Sequence, residues 1–267
     1  MSERIRALVA PFPALPEGIT SFDDWKSLEI TGPTKALILS DIHVPYHDRD
    51  SIMLAVERGA DADLVILNGD ITDCYEVSHF QPDPRKCNFP EALHTTRELL
   101  KWIRSKFPKA RIIYKEGNHE ERLERYFTVR APAVLGVEEF ELKNLLKLFD
   151  LGIEWLGEKR PMRVGKLYVI HGHEFRCVFS NPVNPARGLF LRSKLSAMCG
   201  HFHQSSQHSE KDLSGKVVST WSTGCLCDMR PEYMPLNNWG HGAAIVEIDA
   251  KGAYEVENFR IIEGKVY

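Results

Sequence analysis

Five short apolar runs in this chain each end in residues that bind metals or move protons, and this recurrence narrows the possible folds. "LILSDIH" ends in Asp41 and His43, "VILNGD" in Asp70, and "IIYKEGNHE" in Asn118 and His119. "YVIH" ends in His171 and "AMCGHFH" in His201 and His203. Apolar runs this short, bounded by turn residues, are strand-length. In an open α/β sheet the carboxyl ends of the strands share one edge, so five such ends can meet in one crevice. Taken singly, each cluster has a plainer reading: D-x-H as a turn or helix cap, and "NGD" and "GNH" as turn signals. The succession of five argues for a site.

The intervening segments read as helices. Ala36–Leu39, a helix near Ser51–Gly59, Leu64–Leu67, a helix near Glu91–Phe107 and Arg111–Tyr114 form a β-α-β-α-β pattern, which implies a parallel sheet covered by helices. Two charged amphipathic stretches, Glu120–Phe127 and Glu138–Phe149, suggest a helical insertion over 120–150 that would serve as a cap or an oligomer surface. Strands are expected at Gly152–Leu156, Met162–Val164, Leu167–Ile170, Val217–Ser222, Ala243–Ile248 and Tyr254–Arg260, with a helix near Ala186–Leu195. The loop "CDMRPEYMPLNNWG" separates two of these strands. Residues 1–34, rich in proline, read as an N-terminal arm, and 35–267 as one domain.

Composition excludes several classes. With 43% hydrophobic and 27% charged residues over 267 positions, the chain can bury a substantial core. Thirty-four basic residues against 37 acidic ones give a net charge of −3, so no broad basic surface for nucleic acid is indicated. No run approaches the ~18 apolar residues of a membrane span, and Pro11, Pro13 and Pro16 interrupt the stretch where a signal peptide would need a helix. The six cysteines form no C-x-x-C pair, and they read as reduced thiols of a soluble cytoplasmic protein, Cys225 and Cys227 as core or strand residues rather than soft ligands.

The clustered residues suit a particular chemistry. Two divalent cations roughly 3.5–4 Å apart can clamp a phosphoryl group and activate water, but their repulsion calls for a bridging anionic oxygen. Asp70 suits that position. Oxygen and imidazole donors without thiolate favour manganese foremost, or iron, zinc, cobalt or nickel, over calcium. His119, next to Asn118, would then lie at the rim as a general acid or transition-state cation, oriented by Asp73.

The ordered set Asp41-Ile-His43, Gly69-Asp70-Ile-Thr-Asp73, Gly117-Asn118-His119-Glu120, His171-Gly172 and Gly200-His201-Phe-His203 resembles the calcineurin-like metallophosphoesterase superfamily. The resemblance implies an α/β fold, a four-layer α-β-β-α sandwich of two mixed β-sheets flanked by helices, with a dinuclear metal site at the strand C-terminal edge. It implies that Asp41, His43, Asp70 and His203 hold one metal and Asp70, Asn118, His171 and His201 the second. His119 would be the acid, and a metal-bridging hydroxide would attack phosphorus in line. Surrounding residues also look like those of viral and prophage-encoded members, which would place the protein in a host cytoplasm.

Departures from the pattern bear on the substrate. Protein phosphatases of the superfamily look like G-D-x-x-D-R-G and R-G-N-H-E; here Cys74 and Glu116 stand where those arginines would be. A diester carries one charge fewer than a monoester dianion and needs less clamping. A phosphodiesterase acting on nucleotides or other small diesters is therefore expected, possible as a homo-oligomer, with Arg122, Arg85 and Lys115 as replacement cations. Phosphomonoesterase or protein phosphatase activity, a nuclease acting on DNA, and a non-catalytic metal-binding scaffold are the alternatives. His47, His79, Arg122 and His241 are candidate substrate residues. His173 reads as a hydrogen-bonded turn histidine, and Trp239, Tyr75 and Phe80 as packing residues that could instead stack a base.

Overall fold

The computed structural model describes residues 16–18, 26–80, 83–86, 88–175 and 183–267. Two mixed sheets lie face to face. One contains β2 (Thr34–Leu39), β3 (Leu64–Asn68), β4 (Arg111–Lys115) and β5 (Ile153–Leu156), all parallel, extended past β2 by the antiparallel β11 (His241–Ile248), β12 (Tyr254–Ile262) and β13 (Lys265–Val266). The other runs in the order β1 (Leu28–Ile30), β6 (Met162–Val164), β7 (Leu167–Val169), β8 (Ala197–Cys199), β10 (Val217–Ser222), β9 (Ser206–Lys211). The four-layer reading of the sequence agrees with this architecture. Most of the proposed N-terminal arm lies outside the described residues; its end, Leu28–Ile30, pairs in parallel with β6.

Strand periodicity explains the layering. Ala36 and Ile38 of β2 face the second sheet, with Leu64, Ile66, Ile113, Val164, Val169, Met198 and Trp221, whereas Leu37 and Leu39 face the helices. Both faces are covered, so the central strands read as unbroken apolar runs rather than alternating ones. Helix α1 (Arg49–Arg58) starts where the Asp48 side chain accepts from the Ser51 N–H, and it buries Ile52, Ala55 and Val56. Helix α2 (Phe89–Lys106) is capped by Asn88 and buries Leu93, Leu100 and Ile103 on the same layer. Helix α3 (Glu121–Arg130) and the short α4 (Leu142–Leu145) form most of the regular structure of the 120–150 segment. On the far face, α5 (Pro185–Ser193), capped by Asn184, packs Leu189 against Ile170, Ala197 and Cys199.

The parallel arrangement places the ends of β2, β3 and β4 side by side, and the ends of β7 and β8 likewise. Hydrogen bonds then join the two sheets at this edge. The Asn68 amide donates to the Ile170 carbonyl at 2.9 Å, His171 Nδ1 contacts the Asn68 carbonyl at 2.8 Å, and the His201 N–H donates to the Asp41 carboxylate at 2.9 Å.

Ile38 is fully buried between the sheets. Ile38→Ala should lower unfolding free energy by ~2–5 kcal/mol, read from urea denaturation; a loss below ~1 kcal/mol would mean that the sheets do not close over this position.

Candidate metal centre

The polar clusters meet at the shared sheet edge. Asp41, His43, Asp70, His201 and His203 all adopt positive φ, between 52° and 68°, a left-handed region costing non-glycine residues roughly 1–3 kcal/mol. These turns follow immediately after strands, so the chain reverses within a residue or two and aims the side chains inward. Gly69, at φ 83°, lies under the His171 ring, and Gly200 lies against Ser40; a Cβ at either position would collide with its neighbour.

Asp70 is central. Its Oδ1 accepts from the His119 N–H at 2.9 Å, while Oδ2 lies 3.3 Å from His171 Nε2, 3.7 Å from His119 Nε2 and 3.9 Å from His43 Nε2. On one side, Asp41 Oδ1 is 3.2 Å from His203 Nε2, which faces His43 Nε2 at 3.1 Å. On the other, His171 Nε2 meets Asn118 Oδ1 at 3.2 Å, and His201 groups with Asp70 and His171. Asp70 thus belongs to two of the groups that could hold an ion.

The tautomers suit this use. Asp73 Oδ2 engages His43 Nδ1 at 3.0 Å, and the Asn68 carbonyl engages His171 Nδ1, leaving both Nε2 atoms directed at the cluster. Cys227 Sγ lies 3.9 Å from His203 Nδ1, the nitrogen turned away from Asp41. Cys227 groups with His43 and His203, but it sits behind the imidazole. Its thiol pKa is raised by the hydrogen bond with Cys225 and by burial, so it stays protonated.

The electrostatics test the fit to cations. Burial opposes charge on His171 and His203, yet Asp70 and Asp41 respectively outweigh it and push both imidazoles up to about 10. His201 is lowered to about 4, by burial and then by repulsion from His171. Burial works against the Asp41 carboxylate, and His203 nevertheless holds it at about 2. Protons on His171 and His203 therefore balance the buried carboxylates through the nitrogens that face them, and divalent cations could replace those protons. The donor set fits two such ions.

His119 and Asp73 also come together. His119 Nδ1 lies 3.0 Å from the Asp73 carbonyl and 3.4 Å from its carboxylate. Burial disfavours the imidazolium, but the charge of Asp70 and the Asp73 hydrogen bond outweigh it and raise its pKa. Arg122 places NH2 2.9 Å from His119 Nε2 and NH1 3.1 Å from Asp73 Oδ1. That contact asks for a lone pair on Nε2 and opposes the raised pKa; two carboxylates against one guanidinium favour the proton. Among the described residues the sequence had paired Asp73 with His119 alone, whereas it also orients His43.

Other expected residues lie elsewhere. His241 spends both ring nitrogens on Ser51 and the Cys227 carbonyl, at 2.7 and 2.8 Å, so it braces α1 against a loop. His47 belongs to no ligand group among the described residues, and burial lowers its pKa. His79 stacks on Phe80 at 3.9 Å on an exposed turn, and the Tyr75 hydroxyl accepts from the Asp83 N–H. Of the proposed replacement cations, Arg85 grips Asp83 and Lys115 is buried against Glu174 at 2.8 Å; Arg122 alone of the three reaches the cluster. Cys74 packs in the core, and Glu116 accepts from the Glu158 N–H, so neither position offers a phosphate clamp. His173 contacts Glu121 at 2.9 Å.

Two supports were not singled out by the sequence. Glu120 accepts from the Asp70, Ile71, Thr72 and Gly117 N–H groups and from the Tyr114 hydroxyl, at 2.8–3.2 Å. Glu174 accepts from the His171 and Gly172 N–H groups and pairs with Lys115. A glutamate three residues after Gly117, or three after His171, was the available signal.

A sandwich with imidazole, carboxylate and amide donors grouped at one sheet edge is the architecture of metal-dependent phosphoesterases. The model of the calcineurin-like phosphoesterase family matches residues 34–214, about two-thirds of the chain, and the protein belongs to that family. Among solved structures, nuclease MPE of Pseudomonas putida is similar at 13% identity and a TM-score of 0.36, covering 84% of this chain and 86% of its own. A dimetal phosphatase from Danio rerio is similar at 13% identity and a TM-score of 0.42, covering 85% and 96%. Likenesses this distant do not bear on activity. None of the curated proteins compared matches the chain. Among the described residues, no helix is long and apolar enough to cross a membrane.

Burial works against the Glu174 carboxylate, but Lys115 and then His173 hold its pKa at about 2. A depressed folded pKa adds stability above the unfolded value and loses it as pH falls through the folded one. Lys115→Met should cost ~3–5 kcal/mol at neutral pH. It should also flatten the loss of stability between pH 4.5 and 2, followed by urea unfolding. An unchanged slope would separate Glu174 from Lys115.

Proposed function

We propose that the protein is a metal-dependent phosphoesterase that prefers phosphodiesters, of nucleotide type or otherwise small. Asp41, His43, Asp70 and His203 would hold one divalent ion, and Asp70, Asn118, His171 and His201 a second, manganese being the metal expected. When bound, the pair would supply an acidified water and a positive clamp on the phosphoryl oxygens.

The observation that carries the diester preference is the cation census around the cluster. A monoester dianion wants bidentate guanidinium contacts, yet Cys74 is in the core and Glu116 is turned to the Glu158 backbone. Arg122, the replacement cation that reaches the cluster, is already committed to Asp73 and His119. A diester monoanion needs less from it.

His119 is the proton donor in this reading. Its Nδ1 rests on Asp73, its Nε2 faces the cluster 3.7 Å from Asp70 Oδ2, and the charge of Asp70 with the Asp73 hydrogen bond outweighs burial and raises its pKa, which favours the proton-carrying form. Asp73 orients both this acid and the ligand His43. Arg122 holds Asp73 in turn.

Manganese-reconstituted protein should hydrolyse bis(4-nitrophenyl) phosphate with higher kcat/KM than 4-nitrophenyl phosphate; turnover of the monoester alone would overturn the preference. His119→Ala should lower kcat by roughly 10²–10⁴ while the metal content, measured by atomic emission, is retained. Asp70→Asn should lose both metal and activity. Full activity in His119→Ala would remove it from the proton-donor role.

A further inference from the structure

The loop between Asp228 and Gly240 runs beside His203, at one edge of the cluster. It is held firmly. Asn237 donates to the Met229 and Met234 carbonyls at 2.9 and 2.8 Å and accepts from the Trp239 N–H at 3.0 Å. At its ends, the Asp228 N–H donates to the Tyr46 carbonyl and the Gly240 N–H to the His203 carbonyl, at 2.7 and 2.8 Å. Glu232 forms an ion pair with Lys86, from the 83–86 segment.

This braced loop presents two aromatic rings in line with the cluster. Trp239 is half-buried with its ring edge-on to His203, centroids 4.1 Å apart. Tyr233 lies next outward, 6.3 Å from Trp239, and its side chain is open: the residue is 74% exposed. Tyrosine held on a rigid loop with its face uncovered loses little entropy when a flat partner settles on it.

We infer that Tyr233, backed by Trp239, is a stacking platform for a nucleobase or other aromatic group esterified to the phosphate at the metal cluster. The inference rests on the phosphoesterase reading for where the phosphate lies. Tyr233 continues outward from Trp239, whose ring meets His203 at the cluster, so a phosphate at the cluster and a base on Tyr233 can be engaged together. Stacking tolerates every base because each has a π-face, which predicts a preference for nucleotide-type esters with little choice among bases.

Adenosine 5′-monophosphate and ribose 5-phosphate differ only in the base and report this directly. Calorimetric titration of the manganese-loaded protein should show the nucleotide binding tighter by roughly tenfold or more. Tyr233→Ala should bring the two dissociation constants together, and Tyr233→Phe, which keeps the ring, should preserve the difference. Equal affinities in the unaltered protein would overturn the platform, as would a Tyr233→Phe variant that loses the difference as Tyr233→Ala does. Base-dependent binding in a protein that hydrolyses no diester would support the platform and sink the activity proposed above.

Discussion

The carboxylate of Glu120 holds the centre of this molecule together. Its two oxygens receive the backbone N–H groups of Asp70, Ile71, Thr72 and Gly117, together with the Tyr114 hydroxyl. The backbone donors belong to the turns after two different strands, β3 and β4, and buried amides without partners would each cost on the order of 1–3 kcal/mol. One side chain therefore sets the spacing of the Asp70 turn relative to the Asn118 turn. The shared position of Asp70, between the His43 side and the His171 side of the cluster, depends on that spacing.

The second sheet is brought to the same point by polar contacts. Asn68 and His171 exchange bonds with each other's backbone regions, and Asp41 receives the His201 N–H. These contacts lie at the edge of an apolar interface built from Ile38, Ile66, Val169 and Met198. Burial between the sheets supplies the free energy that keeps five polar residues in left-handed backbone conformations. Packing and site geometry are thus one arrangement: loosening the interface would release the turns that aim these side chains at one another.

Charge is balanced locally around the cluster. Asp73 serves His43 and His119 at once, and Arg122 neutralises Asp73 while touching His119. Lys115 and Glu174 form a separate buried pair that fixes the backbone of His171. Among the described residues, Arg122 reaches the cluster through Asp73 and His119, and the Trp239 ring lies against His203 on another side.

The sequence by itself determined the layered α/β class and the residues at the five strand ends. Short apolar runs bounded by turn residues, such as Leu64–Leu67, read as strands buried on both faces, and D-x-H, G-D, G-N-H and G-H-x-H come within a few residues of their ends. It could not reveal β9: Ser206–Lys211 is polar and exposed, a strand only because it pairs with β10. Nor could it separate His241, Lys115 and Arg85 from the cluster, because composition and spacing say nothing about which neighbour satisfies a polar atom. Only the tertiary structure decided that Asp73 orients two histidines, that Glu120 ties two turns, and that Tyr233 stands open beside Trp239. Each of those facts is a contact between distant segments, and contacts of that kind are set by packing rather than by local pattern.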